Sequence, residues 1–325
     1  MLWGLGLVSF VIAAVGAGLL VTRFARIALD QPNPRSLHER PVPRTGGLAV
    51  LAGIAISAAV FGPALWLPLG LALALAVISL IDDLRGMPTL LRLLAHLAAA
   101  GFLAWYVLYP MNPLGLALIT LGIGWITNLY NFMDGSDGLA GGMTVIGFGA
   151  YAVAALLAGQ LPLAATSIAI AAAALAFLAY NFHPARIFLG DVGSIPLGFL
   201  AGALGVVGWR DDVWPLWFPL LVFGPFIGDA TMTLLKRAAR RERVWQAHRD
   251  HYYQRLVRMG FGHRTTALIA YTAMLLCSAA ALLGREQSGP VQVAVFAAAS
   301  AALAVAAGWV DLRWRRYVAG QGGAA

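Results

Sequence analysis

Long apolar runs, each close to the roughly twenty residues that a helix needs to cross a bilayer, alternate along this chain with short breaks of charge, proline or glycine. Read between those breaks, the pattern predicts helices near 3–22, 46–62, 64–81, 91–109, 114–131, 142–158, 161–180, 195–209, 215–235, 265–284 and 290–309. Ala, Gly and Leu dominate these runs, as expected where small residues let helices pack closely in lipid. No period of repeat-protein length is present. The expectation is therefore one all-α domain over residues 1–325, a polytopic membrane protein of about eleven transmembrane helices.

Composition agrees. The chain is 60% hydrophobic and 11% charged, with a mean hydropathy of +0.79, whereas a soluble domain carries about 25% charged residues. The single cysteine, Cys277, lies inside an apolar run, which leaves neither a disulfide framework nor a cysteine metal site. Redox chemistry is not indicated. No basic residue precedes the apolar stretch from Met1 to Leu20, so a retained first span is expected and not a cleaved signal peptide.

Charge sets the orientation. Of 22 Lys and Arg residues, all but Arg210 and Arg285 follow odd-numbered predicted spans or lie in the C-terminal tail. The positive-inside rule then puts the N-terminus outside and the loops near 23–45, 82–92, 128–141, 181–194 and 236–264 in the cytoplasm. A net charge of +8 needs no nucleic-acid partner, because cationic loops beneath an anionic membrane lipid leaflet account for most of it.

The acids are less easily explained. Of 14 carboxylates, Asp211, Asp212 and Glu286 fall on the outer side, whereas Asp82, Asp83, Asp134, Asp137 and Asp191 sit at cytoplasmic helix ends. One such acid is an ordinary helix terminus; five on a face that also presents cations form a candidate cation site. Asp82 and Asp83 are adjacent, so on a helix their side chains diverge by about 100° and separate roles are expected. Arg85 and Arg92 are candidates to offset their repulsion. A second element runs from Asn128 through Asn131, Asp134 and Asp137 to Gly142, where Asn and Asp can contact a nucleotide or a hard cation. A third pairs Asn181-Phe182-His183-Pro184 with Phe188-Leu189-Gly190-Asp191-Val192-Gly193-Ser194, placing an aromatic ring three residues before an acid.

In order along the chain, Pro43-Arg44-Thr45-Gly46-Gly47, Asp82-Asp83, Asn131-x-x-Asp134-Gly135 and Gly190-Asp191-x-Gly193-Ser194 are followed by Pro225-Phe226-Ile227-Gly228-Asp229 running into Lys236-Arg237, and then by a His-containing loop. From about Asp30 to Arg264 this resembles the polyprenyl-phosphate N-acetylhexosamine-1-phosphate transferase family, which includes the phospho-N-acetylmuramoyl-pentapeptide translocase and the initiating transferases of O-antigen and teichoic acid synthesis. The resemblance implies a Mg²⁺-dependent enzyme, with Mn²⁺ as a substitute, in the bacterial inner membrane. Its substrates would be a UDP-N-acetyl-amino sugar and undecaprenyl phosphate, with UMP released. It further implies Asp191 as the first choice for the metal with Asn131 beside it, and Phe188 as a stacking surface for uracil. Asp134 and Asp137 would hold the nucleotide and organise the site, Asn128 and Arg44 would bind substrate, and Asp82 and Asp83 would receive or deprotonate the lipid phosphate. Which of the two does so is open, as is a covalent aspartyl-phosphate route.

The loop 236–264 carries nine cations with Trp245, Tyr252 and Tyr253. Much of it reads as an interfacial segment with snorkelling side chains. His248 and His251, at i and i+3, would share a helix face and, with Arg249, reach the donor. His248-Arg249-Asp250-His251 resembles the O-antigen initiating branch more than the peptidoglycan one, which is richer in consecutive histidines, so a peptide-free donor is expected and an envelope polysaccharide as the end product. Asp229, inside the ninth predicted span, is either a structural tie or a catalytic acid. Asp30, Glu39 and Asp311 read as solvated charges, and His96 as packing. A transporter or lipid flippase is the main alternative; it would place ionisable groups at the membrane midplane in two related halves, and no such halves are visible. Oligomeric state, a homodimer included, stays open.

Overall fold

The structure, a computed structural model, describes residues 2–25, 28–32, 37–38, 40–62, 65–244, 246 and 248–322, so Glu39 and Trp245 lie outside the described residues. Every predicted apolar run is helical. The helices are α1 (Leu2–Thr22), α2 (Gly46–Phe61), α3 (Trp66–Arg85), α4 (Thr89–Leu108), α5 (Pro113–Phe132), α6 (Leu139–Leu157) and α7 (Leu161–Asn181). They continue with α8 (Asp191–Arg210), α9 (Trp217–Val222), α10 (Gly224–Ala239), α11 (Tyr252–Leu256), α12 (Gly262–Gly284) and α13 (Gly289–Gly322). Among the described residues the only strands are β1 (Leu29–Asp30) and β2 (Val42–Pro43), an antiparallel pair.

Among the described residues, nine helical segments are long and apolar enough to cross a membrane, fewer than the eleven spans expected. Two predicted spans account for the difference. The run at 46–62 gives a 16-residue α2, shorter than a bilayer requires. The run at 215–235 is interrupted at Phe223, between α9 and α10. Pro225 opens α10 in its first turn; proline has no N–H to continue the ladder of α9, and its ring clashes with the carbonyl four residues back. The break leaves α10 as a separate helix that carries Asp229 and ends in Lys236 and Arg237.

In lipid there is no hydrophobic drive to bring spans together, so the core is built by close packing. α8 is the most buried span and α13 the least. α8 is packed against α3 and α5, α7 against α1 and α6, and α12 against α6 with α13 outermost. An aromatic layer of Phe148, Tyr151, Trp214, Phe218 and Phe223 fills the far end, with the Tyr151 and Trp214 rings 4.7 Å apart. The opposite ends of α3, α5, α8 and α10 carry the acids and cations described next.

Candidate active site

Two glycine-bearing segments set the frame. Residues 43–47 lie along 188–189 like a short ladder: Phe188 N–H donates to the Pro43 carbonyl at 2.7 Å, Gly46 N–H to Phe188 O at 2.9 Å and Gly47 N–H to Leu189 O at 2.8 Å. The approach is so close that a Cβ on Gly47 would lie 2.4 Å from the Gly193 Cα. Gly190 adopts φ +72°, and a side chain there would meet the Arg44 carbonyl at 2.3 Å. The Arg44-Thr45-Gly46-Gly47 and Gly190-Asp191-Val192-Gly193 motifs are thus two halves of one joint. That joint fixes Asp191 in the first turn of α8, where the helix dipole favours anions.

Around Asp191 the acids assemble as the topology predicts. Asn131 Nδ2 donates to Asp191 Oδ1 at 2.8 Å and to Ser194 Oγ at 3.0 Å. Through that amide nitrogen Asn131 orients the Asp191 carboxylate, and its Oδ1 is the atom of the side chain able to meet a cation. Asp82 and Asp83, in the last turn of α3, do diverge. Asp82 accepts from Met87 N–H at 2.6 Å and from Arg92 at 2.9 Å, using both oxygens. Asp83 pairs through Oδ1 with Arg44 at 3.2 Å. Arg92 also approaches Asp191 Oδ2, at 3.9 Å. The compensating cations are therefore Arg92 and Arg44, and Arg85 is not one of them. Asp134, in the turn after α5, is held well above the usual carboxylate range by burial and by the negative charge of Asp191, against which the Gly190 N–H works.

This donor set fits a hard divalent cation. Asp191 is 34% exposed and presents oxygen, its neighbours are carboxylates, and no thiolate or imidazole contacts it. Among the described residues no group of three or more His, Cys, Asp or Glu side chains forms a prebuilt metal cage. Mg²⁺, which takes one or two carboxylates and completes its shell with water and phosphate oxygens, is the cation such a partial site suits.

The remaining expected residues fall into neighbouring groups. Asp137 is not in contact with Asp191; its Oδ2 accepts from Ala185 N–H at 3.1 Å and lies 2.7 Å from His183 Nδ1. His263 lies parallel to His183, ring centroids 5.6 Å apart, and its Nδ1 is 2.9 Å from Ser136 Oγ. Asn181 ties the same region through Gly138 N–H and the Ile187 carbonyl. Asn128 is turned away, sharing a hydrogen bond with the buried His96 at 3.2 Å. Phe188 is half-buried at the rim.

The 236–264 loop departs most from expectation. His248 and His251 precede α11 and share no helix face, although their rings lie 4.8 Å apart. His251 is 3% exposed and bonded to Asp229 Oδ1 at 3.1 Å. Asp229 also accepts the Tyr252 and Tyr253 N–H groups at 2.9 and 3.0 Å. These contacts make Asp229 a tie between α10 and the start of α11. Burial, helped by His251 and Arg237, pushes His248 down to about 4. Asp250 is committed to the buried Arg237 at 2.8 Å, and Arg249 is half-exposed beside it. Asp311 is not a solvated charge: it holds both Lys236 and Arg255.

No role for His183, His263 or His38 was legible in the sequence, because nothing local signals that His263 lies beside Asp137 from 126 residues away. The bridging part of Arg92 was visible only as charge near an acid.

A family model described as glycosyl transferase family 4 matches residues 65–209. The chain is 30% identical over 302 residues to a Bacillus subtilis protein named "Probable undecaprenyl-phosphate N-acetylglucosaminyl 1-phosphate transferase", covering 85% of this chain and 84% of the relative. It is 33% identical over 324 residues to the decaprenyl-phosphate N-acetylglucosaminephosphotransferase of Mycolicibacterium smegmatis, covering 82% and 78%. With the phospho-N-acetylmuramoyl-pentapeptide-transferase of Moorella thermoacetica it shares 34% over 214 residues, 56% and 67% of the two chains. Similarity of this extent, on motifs that the fold gathers around Asp191, makes this chain a multi-pass membrane transferase of glycosyl transferase family 4.

Proposed function

We propose that the protein transfers an N-acetyl-amino-sugar 1-phosphate from a UDP-sugar to undecaprenyl phosphate on the cytoplasmic face of a bacterial inner membrane, releasing UMP. One observation carries the reading: Asp191, Asn131, Asp134, Asp82 and Asp83 meet two arginines, Arg44 and Arg92, on one face of a membrane protein. Exchange between two phosphate-bearing substrates needs charge neutralisation and in-line positioning more than covalent chemistry from the protein. Mg²⁺, held by Asp191, would supply that neutralisation at the diphosphate. Asn131 keeps Asp191 aimed, and Arg92 and Arg44 offer guanidinium forks suited to phosphate.

Both oxygens of Asp82 are engaged, whereas Asp83 has a single paired oxygen. We therefore assign to Asp83 the contact with the acceptor phosphate and any proton it carries, and to Asp82 the holding of Arg92. On the donor side, Phe188 offers a face to the uracil, with Asp137 and Asn181 organising the loops beside it. Support for a lipid acceptor comes from an apolar cleft of about 430 Å³. It begins at Met133, one residue from Asp134, and runs between α10, α12 and α13 past Tyr252 and Ile269. Such a path suits a prenyl chain whose phosphate end must reach the acids.

The donor is proposed to lack a peptide, and its product to begin an envelope polysaccharide such as O-antigen. The deciding experiment incubates purified protein with undecaprenyl phosphate, Mg²⁺ and a panel of UDP-sugars. UMP release with formation of a lipid diphosphate sugar is expected, abolished by chelation. Lipid flipping or solute uptake without UMP release from any donor would overturn the reading.

A further inference from the structure

Phe188 has a fixed backbone but a ring that needs its own support. Its N–H and carbonyl are both engaged by the 43–47 segment, at 2.7 and 2.9 Å, yet its side chain keeps two free torsions and is half-buried. The ring in contact with it is that of His38, at a centroid distance of 5.0 Å and 62° between planes. In such an edge-to-face arrangement a positively polarised ring edge meets a negatively polarised face, so the geometry is directional. A T-shaped neighbour also takes at most one of the two faces of Phe188, leaving the other for a planar ligand.

His38 is itself delivered to that place from two sides. Asp30, paired with Val42 in the β1–β2 ladder, sets its Oδ2 3.6 Å from His38 Nε2. The carbonyl of the preceding residue, Leu37, shares a 3.3 Å hydrogen bond with His263 Nε2. His263 in turn faces Ser136 and Asp137. Through His263 the segment that presents His38 is thus anchored to the donor-side loops. His38 Nε2 is buried with no hydrogen-bond partner, so packing alone does not explain a histidine where an aliphatic side chain would fill the space.

We propose that His38 is a positioning residue of the nucleobase pocket, holding the Phe188 ring in the orientation on which the base stacks. This rests on the reading that a UDP-sugar donor places its uracil on Phe188. It separates the His38 segment from the chemistry: that segment sets how tightly the donor is bound, and the rate of transfer from bound donor is left to the Asp191 cluster with Arg44 and Arg92.

Steady-state transfer with UDP-N-acetylglucosamine and undecaprenyl phosphate tests this through three quantities: donor KM, acceptor KM and kcat. His38→Ala is expected to raise donor KM at least fivefold, with kcat and acceptor KM within twofold of the parent. A merely structural loss would move all three. In a Phe188→Ala background, His38→Ala should add less than a twofold further change, because the ring it orients is gone. His38→Phe, which keeps an aromatic edge, should stay within twofold of the parent, and His38→Gln should match His38→Ala. These two also decide the matter should the alanine variant not accumulate. Equal effects of His38→Ala with and without Phe188, or His38→Phe as impaired as His38→Gln, would overturn the inference while leaving the uracil site intact. Unchanged donor KM in Phe188→Ala alone would instead remove the uracil reading, and the inference with it.

Discussion

Asp191 and Asn131, sixty residues apart in sequence, are joined by a 2.8 Å hydrogen bond from the amide Nδ2 to carboxylate Oδ1. The bond fixes one oxygen of the acid proposed for the metal and ties the start of α8 to the end of α5. Asp191→Asn keeps the shape and removes the charge. It is expected to lower kcat by a thousandfold or more, roughly 4 kcal/mol. Asn131→Ala leaves the charge and loosens the aim, with an expected fall of about 10- to 100-fold, the range typical of residues that orient a metal ligand. UMP release by protein that still elutes as a single species checks both. Turnover by Asp191→Asn within a few-fold of the parent would refute the metal assignment.

The adjacent aspartates should separate by kinetics. Asp83→Asn is expected to cost about 10²- to 10⁴-fold in kcat, the range for loss of a proton acceptor, and to flatten the acidic limb of the rate profile. Asp82→Asn frees Arg92 and should act mainly through the KM of the phosphate substrates. The reverse pattern would exchange their roles.

Asp134 gives a pH prediction with a definite sign. Its pKa is raised in the folded protein, so the protonated form is favoured by folding, and the associated stability is present at low pH and lost as pH rises through the folded value. A cation beside Asp134 and Asp191 favours the ionised form and competes with the proton. Thermal stabilisation by Mg²⁺ should therefore grow from pH 5.5 to pH 8, and Asp134→Asn should make it nearly independent of pH. A melting curve in Mg²⁺ and in chelator at each pH measures this; stabilisation that weakens as pH rises would contradict the placement.

Asp250 and Arg249 are neighbours with different work. Asp250→Ala strips a buried guanidinium of its shortest ion pair and should destabilise the protein by about 2 kcal/mol, in part because Arg237 is left underpaired. Arg249→Ala should be nearly neutral for stability and should relax the preference for N-acetylated over non-acetylated UDP-sugars. Rates with UDP-N-acetylglucosamine and UDP-glucose read the second effect; an unchanged ratio would take Arg249 out of donor recognition.

Orientation is tested independently. A reporter fused after Arg210 is expected to read periplasmic and one after Arg240 cytoplasmic, following the bias of 20 of the 22 cations to one side. Opposite signals would put the acids on the side away from any UDP-sugar pool.

The sequence by itself determined the helical membrane architecture and the face on which the acids gather. Apolar run length and loop charge are local quantities, and lipid enforces them. It also determined that Asp82 and Asp83 diverge, since adjacent residues on a helix must. The tertiary structure decided which of the polar groups are already spoken for. Asp250 is taken by Arg237, His251 by Asp229, and Asp82 by Arg92 and a backbone N–H. Each choice depends on long-range approach between α3 and α4 or across the loop joining α10 to α11, and hydrophobic periodicity does not encode it. The break at Phe223 belongs to both: Pro225 is plain in the sequence, but a proline in an apolar run can also open a turn that stays in line. Only the packing of α10 against α12 and α13 separated the two halves. His38, His183 and His263 were three isolated histidines until the fold set their rings beside Phe188 and Asp137, because a side chain's chemistry is local and its partner is not.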